Sequence, residues 1–240
     1  LAGQPVFPLN ARFTLTAAGR AFSTADAGPV DLAVLESGPV AAQVRVKGRH
    51  GPPGSPFDFS ALLTFWKDKP WVEVEYRVLL ARGGNAEVES WEWTAEPQAP
   101  RPRLLLGYGH YTTRVLESGE RVEYRFGPEQ FRYDSVEHAM QSFWGSFWCD
   151  WTAAGSGLTV SLRHAQQNFP KALEATPSGI RLSLYPSGQP LAFPHGAAKT
   201  HHLLLYFHPA AQPRQELSLR ALQHQIPDVA RIDAAWYGRS

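Results

Sequence analysis

The segment Lys199-Thr200-His201-His202 holds the densest set of groups able to move protons and bind anions. If a strand starts there, Lys199 and His201, two residues apart, share a face and His202 turns to the other. A cation beside an imidazole suits elimination at a uronate. The ammonium neutralises the carboxylate and acidifies the neighbouring C–H, and the imidazole takes the proton. The same residues also read as an ordinary solvated turn. A second concentration is Phe143-Trp144-Gly145-Ser146-Phe147-Trp148-Cys149-Asp150-Trp151. Exposed, these rings would stack on the apolar faces of sugars; buried, they are core, and Asp150 then needs hydrogen-bond partners. Gln166-Gln167-Asn168-Phe169-Pro170-Lys171 offers amides for sugar hydroxyls or for capping loop backbone. Tyr108-Gly109-His110-Tyr111 offers an acid and a base, or a decorated strand start.

The elements that must position these groups show period-two patterning. In Trp71-Val72-Glu73-Val74-Glu75-Tyr76-Arg77-Val78, Val72, Val74, Tyr76 and Val78 face one way and Glu73, Glu75 and Arg77 the other. Phe59, Ala61, Leu63 and Phe65 alternate before it. With the turn Lys67-Asp68-Lys69-Pro70, residues 57–66 and 71–80 form an expected antiparallel hairpin. Alternation from Ala42 to Lys47 marks another strand. Further strands are expected near 12–17, 30–36, 86–94, 103–107, 111–117, 121–126, 157–163, 179–185 and 200–208. Pro213 to Gln223 reads as the single convincing helix, stopped by Pro227. The expected fold is all-β: a large antiparallel β-sandwich, supersandwich-like, with few short helices. Gly51-Pro52-Pro53-Gly54-Ser55-Pro56 is a candidate seam between an N-terminal unit and the sandwich.

Composition narrows the function. With 43% hydrophobic and 12% aromatic residues in 240, the chain is too apolar to be disordered. Lys and Arg number 23 against 22 Asp and Glu, and no basic stripe stands out, so nucleic acid is not an expected partner. No apolar run reaches a membrane span. One cysteine, Cys149, allows no internal disulfide and no cysteine-rich zinc site. The remaining histidines are scattered, and the acidic residues form no calcium loop. No metal and no cofactor are therefore expected. Neither G-x-S-x-G, a Walker loop nor G-x-G-x-x-G occurs, which leaves a serine nucleophile or a nucleotide unsupported.

Several motifs share one order and spacing: Glu36-Ser37-Gly38-Pro39-Val40, Val44-Arg45-Val46-Lys47-Gly48, the Phe57–Tyr76 hairpin, Phe147-Trp148-Cys149-Asp150, Gln167-Asn168-Phe169-Pro170-Lys171, Gly196-Ala197-Ala198-Lys199-Thr200-His201 and Trp236-Tyr237. Together, over about residues 30 to 238, they resemble the exo-rhamnogalacturonan lyase-like (YetA-like) family. Such proteins join a small N-terminal barrel, a central β-sandwich and a C-terminal α/α toroid. The resemblance implies that residues 1–50 are the end of the barrel or the first sandwich strands. Residues 51–225 would be the central sandwich, and 226–240 a linker toward a toroid partner domain. It implies a carbohydrate-active protein, a polysaccharide lyase that β-eliminates uronate-containing, rhamnogalacturonan- or pectin-like glycans. An extracellular or periplasmic place is preferred over a cytoplasmic one. On chemistry, Lys199 is the expected neutraliser, His201 the base, and Tyr108 or His110 the acid. Trp148, Asp150, Asn168, Lys171 and His202 would shape the sugar subsite. A non-catalytic carbohydrate-binding module and a structural β-domain are the alternatives.

Overall fold

A computed structural model describes residues 9–97, 102–107, 113–116, 122–126, 147–153, 155–165, 167–168, 170–186 and 189–226. Two antiparallel sheets make up the structure. The first has the order β10-β13-β14-β7-β1-β2, with β15 also paired to β7. Its strands are β1 (Leu9–Ala17), β2 (Arg20–Ser23), β7 (Ala86–Pro97), β10 (Val122–Phe126), β13 (Lys171–Thr176), β14 (Gly179–Tyr185) and β15 (Leu191–Phe193). The second has nine strands in the order β3-β4-β5-β6-β16-β12-β11-β8-β9. They are β3 (Asp31–Ser37), β4 (Ala41–Arg49), β5 (Phe57–Trp66), β6 (Trp71–Leu80), β8 (Arg103–Gly107), β9 (Thr113–Leu116), β11 (Trp148–Ala153), β12 (Ser156–Leu162) and β16 (Ala198–Pro209). One α-helix, α1 (Arg214–Gln225), and a short 3-10 turn, Thr24–Asp26, complete the described elements.

Alternation builds the layers. Phe57, Phe59, Val74, Tyr76, Val78 and Leu80 point inward from the second sheet, and Phe13, Leu15, Trp91, Trp93, Leu182 and Leu184 from the first, into one core. Phe13 stacks on Tyr76 across the layers, rings 3.4 Å apart and nearly parallel. The hairpin β5–β6 has the expected extent, from the pair Phe57–Leu80 to Phe65–Val72. Its turn places Asp68 at a left-handed φ of 57°. The predicted all-β sandwich is thus observed.

Four strands escape the sequence pattern, the shortest being β15, which pairs with β7. The two-residue loop Ala18-Gly19 takes left-handed φ values of 49° and 68°, which lets β2 fold back on β1. Strand β11 shows no alternation because all six residues are buried, one face in the core and the other beneath α1. Strand β13, expected as loop, is fixed by pairing with both β10 and β14.

Residues 9–49 supply β1 and β2 to one sheet and β3 and β4 to the other, and the Gly51–Pro56 stretch links β4 to its hairpin partner β5. The edge strand β3 leaves Leu32 and Val34 exposed.

His50 carries a consequence for stability. It is fully buried, with Phe59 and Tyr76 standing edge-on at 6.3 and 6.0 Å, and burial holds its imidazole down to about 4 from 6.5. Between those values the unfolded chain binds more protons than the folded one, so stability falls as pH drops from 6.5 toward 4. A His50→Leu variant is expected to show a flatter fall of Tm across that window. An unchanged acid limb would move the effect to another buried histidine, such as His224, which burial pushes down to about 3.

Candidate functional site

Strand β16 runs through the centre of the nine-stranded sheet, between β6 and β12. Lys199 and His201 face the core side and His202 the outer side, as two-residue periodicity requires. His201 is 4% exposed and packs edge-on against Trp91 at 4.7 Å. Burial, then the charges of Lys171, Lys199 and His202, hold its imidazole well below the usual range. Lys171, at the start of β13, is 3% exposed. Its ammonium donates to Asn168 O and, at 3.1 Å, to Pro170 O. Burial and the neighbouring Lys199 push it down to about 7. Lys199 Nζ donates to Asn168 Oδ1, and Asn168 Nδ2 donates to His164 O at 3.0 Å.

Four of the expected site residues, Lys199, His201, Asn168 and Lys171, are therefore brought together from separate segments. The arrangement ties the loop before β13 across the end of the two layers. Tyr108 and His110, the expected acids, lie outside the described residues, as do Phe143 to Ser146, Gln166 and Phe169.

Trp148 and Asp150 point to the outer side of the same sheet, so the expected single wet face joining them to Lys199 and His201 does not form. Both are fully buried, Trp148 in a cluster with Leu217 and Ala221 of α1. Neither presents a surface on which a sugar can stack, which corrects the expected role of these two residues. Asp150 instead anchors a closed network. Its Oδ1 accepts from Thr159 Oγ1 at 2.8 Å and lies 2.7 Å from His208 Nε2; its Oδ2 accepts from Thr152 Oγ1 at 2.6 Å. His208 Nδ1 lies 2.9 Å from Pro209 O. Both ring nitrogens thus stand within hydrogen-bond distance of an oxygen. Gly157 makes room for that ring: a Cβ there would overlap His208 and Thr152 Oγ1.

The open chemistry lies elsewhere on the outer side, over β4, β5 and β6. A half-open cavity of about 900 Å³ is lined there by Lys47, Arg49, Ser60, Glu75 and Arg77. Strand register explains the arrangement. Lys47 pairs with Ser60, Ser60 with Arg77, and Arg77 with Thr200, so a row of basic, hydroxyl, basic and hydroxyl side chains crosses four strands. Adjacent strands are about 4.8 Å apart, which separates the two cations by about 10 Å. Asp31, Asp58 and Arg82 line the cavity too: Arg82 grips Asp58 through two bonds of 2.7 and 3.1 Å, and Arg45 lies 3.8 Å from Asp31. Among the described residues Lys47, Arg49 and Arg77 make no ion pair within 4.0 Å, although Asp31 stands opposite Lys47 and Asp58 opposite Arg49 in the strand register, and Arg49 Nε is buried without a hydrogen bond. One pairing further along the strands, His202 Nδ1 lies 4.0 Å from Glu75 Oε2, both side chains nearly half exposed. Anions, hydroxyls and a mobile proton can all be handled on this one face.

Sequence reasoning missed Lys47, Ser60 and Arg77. The available signal was the wet half of each alternating strand, Arg45-x-Lys47-x-Arg49 and Glu75-x-Arg77. Among the described residues, no group of three or more His, Cys, Asp or Glu side chains is placed to hold a metal ion. No helix of the described residues is long and apolar enough to cross a membrane.

No protein-family model matches the chain, and no curated protein matches it either. Solved structures do show likeness. An alpha-N-acetylgalactosaminidase from Bifidobacterium bifidum, solved with GalNAc, is 15% identical, with 84% of this chain and 31% of that one covered at a TM-score of 0.48. An alpha-galactosidase from Lactobacillus brevis is 11% identical, covering 87% of this chain and 30% of that one at 0.49. A GalM/aldose epimerase homologue from C. elegans is 11% identical, covering 82% and 78% at 0.37. The chain thus spans about a third of the length of the first two of these proteins.

Proposed function

We propose that the chain is the β-sandwich module of a carbohydrate-active protein and that its outer face over β4–β6 binds an acidic glycan of the uronate class. The observation that carries this reading is the row Lys47–Ser60–Arg77 across a cavity of sugar-binding size, continued by Thr200 on the next strand, with both cations outside ion-pair distance of a carboxylate among the described residues. Paired cations match carboxylates repeated along a polyuronate, and the interleaved hydroxyls match sugar hydroxyls. Calorimetric titration with oligogalacturonides and with a neutral cello-oligosaccharide is the test. Binding of the acidic series, weakening as salt rises, is expected; equal affinity for the neutral series would sink the reading.

A second reading adds chemistry at the same face. Elimination at a uronate needs a base for the C5 proton once the carboxylate is neutralised. His202, beside Glu75 and diagonal to Arg77, is the imidazole in reach of that face. The proton would pass from C5 to the imidazole, the C–H electron pair would form the C4=C5 bond, and the C4 oxygen would leave and take a proton from water. On this reading Arg77 takes the neutralising part expected of Lys199, and His202 that of His201. A His202→Gln variant is expected to keep oligogalacturonide affinity while losing release of unsaturated uronate. Equal release from variant and wild type would remove His202 from the reaction.

A further inference from the structure

Trp66, at the end of β5, is 38% exposed although it is among the largest apolar side chains available for burial. Its indole is held rather than free: Trp66 Nε1 donates to Glu73 Oε1 at 2.9 Å. The turn beneath it is also fixed, since Lys67 N donates to Val40 O at 2.8 Å and Lys69 N to Trp66 O at 3.2 Å. Trp71 forms the next wall. Arg220 of α1 lies 4.2 Å over its ring, and Tyr206 stands edge-on at 6.2 Å. These groups enclose an open pocket of about 310 Å³, lined by Val40, Trp66, Lys67, Asp68, Trp71 and Glu73.

A fixed aromatic face with carboxylates and ammonium groups at its rim has the chemistry of a sugar ring, whose C–H faces are apolar and whose edge is hydroxyl. Position adds a second argument. Trp66, Glu73 and Trp71 share the outer side of the sheet with Ser60 and Arg77, by the same pairing register. Six residues along β5 separate Ser60 from Trp66, about 20 Å at the usual rise per residue. Between them Leu62 and Thr64 stay half-exposed, so the face is continuous.

We propose that Trp66, with Glu73 and the Lys67–Lys69 turn, is a stacking subsite for a distal pyranose of the glycan whose acidic groups sit on Lys47 and Arg77. This rests on the glycan-binding reading of the basic cavity and extends it to a chain of several sugar rings. The experiment compares digalacturonide with hexagalacturonide on the wild type, on Trp66→Ala, on Trp66→Phe and on a Lys47→Ala/Arg77→Ala variant. Trp66→Ala is expected to weaken the hexamer about tenfold, the size of a well-formed aromatic contact, and to leave the dimer unchanged. Trp66→Phe keeps a ring and is expected to restore most of the hexamer affinity. If Trp66→Ala binds the hexamer as the wild type does while the Lys47→Ala/Arg77→Ala variant has lost it, the subsite is overturned and the basic cavity stands. If neither oligomer binds the wild-type protein, both readings fall.

Discussion

Replacing Asp150 with Ala is expected to lower the unfolding free energy by about 3–5 kcal/mol, because Thr152, Thr159 and His208 lose the buried group to which all three are hydrogen-bonded. The reason is the closure of its network. Thr152, Thr159 and His208 all direct hydrogen bonds at its two oxygens, and Asp150 and His208 are both fully buried. Without the carboxylate, the His208 ring keeps one acceptor, Pro209 O, and its other nitrogen faces no anion. For a domain of this size the loss corresponds to a Tm drop on the order of 10 °C. A double-mutant cycle separates this from simple loss of packing. In a His208→Ala background the Asp150→Ala change should cost less, because one of the buried hydrogen bonds it breaks is already gone. Equal costs in both backgrounds would show that the pair is not coupled, and the sandwich would then owe nothing to it.

The Lys47→Ala/Arg77→Ala variant is expected to lose about 100-fold in oligogalacturonide affinity, taking roughly tenfold for each hydrogen bond to a charged group. The loss should appear at low salt and shrink as salt screens the exposed charges, since the screening length is about 8 Å near physiological ionic strength. Stability should hardly change, because both side chains are exposed and neither has an ion-pair partner to lose among the described residues. Arg77→Lys offers a finer test. It keeps the charge and loses the planar two-point fork, so affinity should fall between wild type and Arg77→Ala. Undiminished affinity in the double variant would place acidic-sugar binding away from this cavity.

The edge of the second sheet matters for handling such variants. Leu32 and Val34 lie open on β3, which ends the strand order among the described residues, and an exposed edge strand is a recognised route to unwanted pairing.

The two-layer all-β body and the β5–β6 hairpin could be read from the chain alone. Period-two alternation is local, so Val72, Val74, Tyr76 and Val78 declare their buried face without help from distant residues. The same local rule placed Lys199 and His201 together and turned His202 away. It could not say which of those faces is wet, because that depends on whether another layer covers it. The first sheet covers His201 and leaves Lys199 part-exposed, while α1 helps to cover Trp148, which reverses the exposure expected of the imidazole and of the tryptophan segment. Strand order likewise lies outside local patterning. The row Lys47–Ser60–Arg77–Thr200 gathers four separate segments through lateral pairing, so no stretch of sequence displays it as a basic stripe. Side-chain alternation is set by neighbours along the chain, whereas burial and charge clustering are set by neighbours across it, and only the folded arrangement of strands determines those.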